Sequence, residues 1–113
     1  MKKGYKAEYE VKKKITRIYS SNNVFKVAIG GATDFLVLEP KKRRILKLIE
    51  VKTTKKNSWY PGEHDLKQFK ILKKIEKEQK IPVEYWIKIN GEWKILKLNE
   101  VKKFFKKENI LKI

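Results

Sequence analysis

Glu50 and Lys52 lie two residues apart in LIEVKTTKKNSWY, residues 48 to 60. The residues around them favour a strand, in which i and i+2 point to one face, so a carboxylate and an ammonium are aimed at the same spot. They are either a surface ion pair or half of an active site. Asp34 offers a second carboxylate at the start of TDFLVLEP, and Glu8 a third in KGYKAEYEV. Carboxylates and a lysine are the minimal kit for phosphodiester hydrolysis, in which a divalent cation offsets transition-state charge and acidifies the attacking water. With no cysteine and His64 as the one histidine, thiol nucleophiles, cysteine-bound zinc and His-pair metal sites within one chain are excluded. Any metal site must be built from carboxylates, which suit Mg²⁺ or Mn²⁺. His64 itself reads as a polar residue of the turn PGEHD.

The elements that position these residues follow from hydrophobic spacing. Val11, Ile15 and Ile18 form the stripe of an amphipathic helix over 4–19. Glu8, three before Val11, lies on that stripe, whereas Glu10 is rotated toward water. A carboxylate on a buried face is costly without a partner; its bland reading is a first-turn Glu that favours the helix dipole. SSNN ends the helix, VFKVAI is a strand, and Gly30 and Gly31 break or bend it. In ATDFLVLEP, Phe35 and Val37 share one face while Asp34, Leu36 and Leu38 share the other. KKRR is a basic hairpin tip. ILKLIEVKTT then places Leu46, Leu48, Glu50 and Lys52 on one face and Ile45, Ile49 and Val51 on the other. Apolar residues on both faces imply a sheet covered on each side. In antiparallel partners the start of one strand lies beside the end of the other, so Asp34 and Glu50 can meet. That convergence carries more than the tripeptide, since E-x-K recurs at Glu10 to Lys12 and Glu100 to Lys102 in helical contexts, where i and i+2 do not face each other.

Downstream, Asp65 and Gln68 resemble a capping box opening a helix over 65–79. Its apolar residues span more than one sheet contact needs, which makes Leu66, Phe69 and Leu72 candidates for a contact with a second subunit. PVEYWIKIN and EWKILKL flank the hairpin signal NG, and NEVKKFFKKENI is a short terminal helix packed through Val101, Phe104 and Phe105. The order helix, three strands, helix, two strands, helix is an α/β arrangement around one mixed sheet of about five strands.

At 113 residues the chain fits one domain, 1–113. Its 41% hydrophobic content supports a real core. The formal net charge of +17 points to a polyanion such as nucleic acid or an anionic membrane surface; lysine enrichment also accompanies hot habitats and biased genomes. No stretch approaches the roughly 18 apolar residues of a membrane span, and MKKGYKAEYEV lacks the apolar region of a signal peptide, so an intracellular, cytoplasmic location with no membrane partner is expected.

Taken together these segments resemble the archaeal-type Holliday junction resolvases, within the PD-(D/E)xK nuclease superfamily that shares the restriction-endonuclease core. KGYKAEYEV is similar to the family's K-G-x-x-x-E-R-E opening, VFKVAIGGATDFLVL to its V-x-R-x-x-G/S-x-x-x-D-hydrophobic segment, LIEVKTTKKNSWY to I-E-x-K-[ST]-[ST] with a spaced aromatic at Tyr60, and IKINGEWKIL to its closing hairpin. The resemblance implies that Glu8, Asp34 and Glu50 hold Mg²⁺ or Mn²⁺ and that Lys52 supports the attacking water and the transition-state charge. It also implies a homodimer cutting two strands of a four-way junction in DNA recombination and repair, with branched double-stranded DNA as partner and no small-molecule cofactor. Tyr9, Lys26 and Gly30 depart from the family pattern, and a lysine for an arginine loses the bidentate fork. Lys2, Lys3, Lys6, Lys26, Lys55 and Lys56 are the candidate phosphate contacts. Tyr60 is expected in the core, and Trp59 either there or at the junction. Competing readings are a related nuclease acting on flaps, nicks or linear duplex, and a catalytically silent basic binding module whose acids are ion pairs.

Overall fold

A computed structural model describes residues 3–27, 33–42 and 44–105, with residues 3 to 5 described in backbone only. Lys2, Gly30, Gly31, Arg43 and the end of the expected terminal helix, from 106 onward, lie outside the described residues, as does the side chain of Lys3.

Helix α1 (Lys3–Tyr19) buries Ala7, Val11 and Ile15, one residue per turn along a stripe at spacings of four. Ile18, expected on that stripe, is exposed, and Tyr19 packs in its place. The Asn23 amide donates to the Tyr19 carbonyl at 2.8 Å and closes the helix end. Strands β1 (Val24–Lys26), β2 (Phe35–Leu38) and β3 (Ile45–Thr54) follow, then helix α2 (Glu63–Gln79), the hairpin β4 (Val83–Ile89) and β5 (Glu92–Lys97), and the short helix α3 (Leu98–Val101). A single turn of 3₁₀ helix, Lys102–Phe104, follows α3.

The five strands pair in sequence order, β1 to β5. All pairings are antiparallel except β3 with β4, because α2 carries the chain back across the sheet between them, as a parallel pair requires. Asn90 and Gly91 turn the β4–β5 hairpin with positive φ at both positions, the geometry behind the NG signal.

Each face of the sheet is covered. On one, α1 packs through Val11 and Ile15 on Phe35, Val37, Ile49, Val51 and Trp86; on the other, Phe69 and Leu72 of α2 and Val101 and Phe105 pack on Leu48, Tyr85 and Ile87. Leu46 belongs to the α1 side rather than sharing the Leu48 side. The cause is an irregularity in the β2–β3 ladder: Val37 pairs with Lys47 but Leu38 with Ile45, so the extra residue, Leu46, reverses the alternation.

Phe69 and Leu72, candidates for a contact with a second subunit, instead pack into the core of their own chain. Both are fully buried within one chain and have no surface to offer a partner; Leu66 is partly buried against the same core. The wide apolar arc of α2 is spent on the sheet face plus the terminal aromatics, with Phe69 and Phe105 ring centroids 4.9 Å apart. Trp59 is buried against Tyr85, Phe104 and Phe105. Tyr60, expected in the core, is instead 70% exposed and lies under the Lys56 ammonium, 5.5 Å from its ring centroid.

Candidate active site

The β2–β3 register sets the centre of the site. Phe35 opposite Ile49 brings Asp34, one residue earlier, beside Glu50. The Asp34 N–H donates to the Ile49 carbonyl at 3.1 Å, and the Val51 N–H donates to Asp34 Oδ2 at 2.7 Å. Nearby, the buried Thr33 hydroxyl donates to the same Ile49 carbonyl at 3.0 Å. These bonds fix the Asp34 carboxylate at the end of the sheet without consuming all of its lone pairs.

Glu50 is 3% exposed, and its Oε2 has no hydrogen-bond partner among the described residues. Burial first, then the hydrogen-bonded Asp34 carboxyl and its charge, and more weakly the charge of Glu8, push the Glu50 carboxyl up to about 10; Lys52 pulls the other way. Glu50, deeply buried and in contact with a second carboxyl group, therefore holds its proton near neutral pH. This is the arrangement that a cation entering the site would relieve.

Glu8 stands apart from this pair. Its carboxylate accepts from Lys26 Nζ at 2.7 Å, although its charge still reaches Glu50. Among the described residues no group of three acidic or histidine side chains is close enough together to hold a metal ion. Asp34 and Glu50 fit one nonetheless: the donors are hard oxygens, one buried oxygen is orphaned, and Mg²⁺ commonly takes one or two carboxylates while keeping several waters.

Lys52 shares the face of Glu50 and approaches its Oε1 to 3.9 Å, but its closer partners come from α2. Its ammonium lies 2.8 Å from Asp65 Oδ1 and donates to Gln68 Oε1 at 2.5 Å. Asp65 and Gln68 do not cap the helix together as the spacing predicts. The N-cap is Gly62, and Asp65 at the third helical position accepts the Gly62 N–H at 2.9 Å; Gln68 is one turn further in and buried. Sequence reasoning misses both as site residues because their contact with Lys52 is tertiary. It misses Tyr85 too, the cross-strand partner of Glu50. The Tyr85 hydroxyl is buried without a partner among the described residues, and burial, then the charges of Glu50 and Asp65, raise its pKa.

The candidate phosphate contacts divide. Lys26 is held by Glu8 and Lys56 by Tyr60, while Lys6 and Lys55 border a separate cleft. Glu10, expected to face water, instead binds Lys88 of β4 through both oxygens, at 2.9 and 3.1 Å. His64 is exposed in the first turn of α2.

No family model and no curated protein matches the sequence. Among solved structures, the chain is similar to Hjc, a Holliday junction resolvase from the archaeal hyperthermophile Archaeoglobus fulgidus, with a TM-score of 0.56 over 87% of this chain and 75% of that one. The chain has the fold of a Holliday junction resolvase. Identity to Hjc is 16%, so the likeness is one of fold. The mixed five-strand sheet with its flanking helices is the α/β core that the sequence motifs imply. No helix among the described residues is long and apolar enough to cross a membrane.

Proposed function

We propose that this protein is a divalent-metal-dependent, structure-selective DNA endonuclease that cleaves four-way junctions by paired phosphodiester hydrolysis, acting inside the cell as a homodimer with one site per subunit. The observation that carries the reading is the buried Asp34–Glu50 carboxyl pair with an orphaned oxygen and Lys52 on its flank, set in a resolvase-like fold.

Asp34 and Glu50 would hold Mg²⁺ or Mn²⁺, with Glu8 as a third carboxylate for which Lys26 competes. Such an ion supplies positive charge to the phosphoryl oxygens and lowers the pKa of the attacking water. The chain's own groups do the rest. The Val51 N–H holds Asp34 in place, and Glu50, once it gives up its proton, presents a full carboxylate. Lys52, steadied by Asp65 and Gln68, offers an ammonium to the phosphate charge that develops. The net charge of +17 draws the protein to converging DNA backbones. With Phe69 and Leu72 fully buried in their own chain, the dimer is built from surface residues; Ile71, 39% exposed, is the most open isoleucine of α2.

The paired states of Glu8 with Lys26 and Lys52 with Asp65 are also what a silent binding module would show. A buried carboxylate with an unpartnered oxygen has no use in such a module, since it costs stability. Cleavage of a labelled synthetic four-way junction, beside a linear duplex of the same sequence, separates the readings. Paired symmetric cuts confined to the junction, requiring Mg²⁺ and lost in Glu50→Ala, are expected. Cutting of both substrates would make the protein a less selective nuclease, and tight binding without cutting would leave the binding module.

A further inference from the structure

One residue past Lys52 on β3 and one before Glu8 on α1, a cleft of about 350 Å³ opens between the start of α1, the end of β3 and the β4–β5 turn. Its polar wall comprises Lys6 and Glu10 of α1, Thr54 at the end of β3 and Lys55 just after it, Lys88 of β4 and the Gly91 backbone. Glu10 and Lys88 neutralise each other through two bonds. Lys6 and Lys55 are exposed, and neither makes a hydrogen bond or salt bridge to a described residue. Among the described residues the cleft is therefore left with two positive charges in excess of its one carboxylate, which Lys88 already matches.

We propose that this cleft seats a backbone phosphate of nucleic acid, separate from the phosphate that reacts, with Lys6 and Lys55 as its charged jaws and the Glu10–Lys88 pair as its fixed floor. Among the described residues the wall offers ammonium groups, a threonine hydroxyl and turn peptide, and no aromatic ring on which a base would stack, so it reads backbone rather than sequence. A strand rises about 3.3 Å per residue, and a nucleic-acid strand about 3.4 Å per nucleotide. A phosphate in the cleft is thus a few nucleotides from one at Glu50. The salt link of Glu10 to Lys88 also joins α1 to the sheet, which holds the helix end that carries Lys6 beside the strand end that carries Lys55. The docked turn completes the wall, the Asn90 N–H donating to the Thr54 carbonyl at 3.1 Å.

This inference rests on the nucleic-acid reading above, and its test separates the two. Binding of a labelled four-way junction is measured without divalent metal across about 50 to 200 mM salt for wild type, Lys6→Ala/Lys55→Ala, and a control, Lys74→Ala/Lys77→Ala, on α2 away from the cleft. The slope of log affinity against log salt changes by about 0.9 for each phosphate that the protein ceases to neutralise, so the cleft pair, which holds one phosphate, should flatten it by about one per subunit bound and the control pair by far less. In a second readout, dimethyl phosphate should shift the backbone amide resonances of Thr54, Lys55 and Gly91 in wild type and not in the cleft variant. Equal slopes for the two variants, or no shifts at these amides, would overturn the cleft while leaving the nuclease reading intact. A wild type that binds no DNA would overturn both.

Discussion

Lys52 turns its ammonium toward Asp65, at 2.8 Å, in preference to Glu50, two residues earlier on its own strand and 3.9 Å away. The helix that crosses the sheet thereby holds a cation beside the carboxyl pair. Both side chains are largely shielded from solvent, 15% exposed for Lys52 and 22% for Asp65, so the pair is not discounted as a surface one would be.

Asp65→Ala removes this bond and the acceptor for the Gly62 N–H together, and should cost about 1 to 3 kcal/mol of stability. Asp65→Asn keeps an acceptor for the cap but removes the negative charge that faces Lys52. Its stability loss should be smaller, while junction cleavage falls about tenfold, equivalent to roughly 1.4 kcal/mol in the transition state. Urea denaturation and single-turnover cleavage of both variants check this. If the Asp65→Asn protein cleaves as well as wild type, Asp65 only caps the helix.

Glu50 makes stability depend on pH in a direction opposite to an ordinary salt-bridged acid. Its folded pKa, about 10, stands above its ordinary value of 4.5. The folded state therefore holds the proton more tightly than the unfolded one, and the associated stability is fully present below pH 4.5 and is lost as pH rises toward 10. The slope in that window approaches about 1.4 kcal/mol per pH unit for one group. Glu50→Gln mimics the protonated form and should be more stable than wild type at pH 8 by a wider margin than at pH 5. Denaturation midpoints at both pH values test it; an unchanged margin would mean that Glu50 ionises normally.

How much of this is legible in the sequence depends on whether a feature is local. Helix α1, the strands around Asp34 and Glu50, and the NG hairpin follow from periodicity and turn chemistry. The meeting of Asp34 with Glu50 follows from one topological step, an antiparallel pairing. Leu46 escapes the period-two reading because a ladder irregularity breaks the alternation without a glycine or proline to announce it. Phe69 and Leu72 mislead because a wide apolar arc does not say whether its second contact is another subunit or the chain's own terminal aromatics. Gln68 and Tyr85 carry no motif; only the packing of α2 and β4 on β3 brings them to Lys52 and Glu50. Glu10 pairs with a lysine 78 residues away, a contact that helical rotation alone cannot foresee.

Tyr85 should behave unlike most buried tyrosines. Its hydroxyl is buried with no partner among the described residues, and an unsatisfied buried polar group costs about 1 to 3 kcal/mol. Tyr85→Phe removes the group and retains the ring that packs on Trp59. The metal-free variant should be as stable as wild type or more so, by up to about 1 to 2 kcal/mol. A loss above about 1 kcal/mol in urea denaturation would show instead that the hydroxyl bonds an internal water.

Divalent metal should act against the same proton. For a cation to occupy Asp34 and Glu50, Glu50 must release the proton that burial and Asp34 hold on it, so Mg²⁺ affinity should rise with pH, up to about tenfold per unit while Glu50 remains protonated. Titration calorimetry in two buffers of different ionisation enthalpy should record close to one proton released per Mg²⁺ bound near pH 7. By linkage, Mg²⁺ at about 100 times its dissociation constant should add about 2.7 kcal/mol to stability. Asp34→Asn should abolish both the proton release and the stabilisation, because it leaves a neutral amide where the second carboxylate stood. Lys26→Gln, which frees Glu8 from its ion pair, should strengthen binding if Glu8 joins the ion. Stabilisation by Mg²⁺ that survives Asp34→Asn would place the metal elsewhere and remove the physical basis for cleavage at this pair.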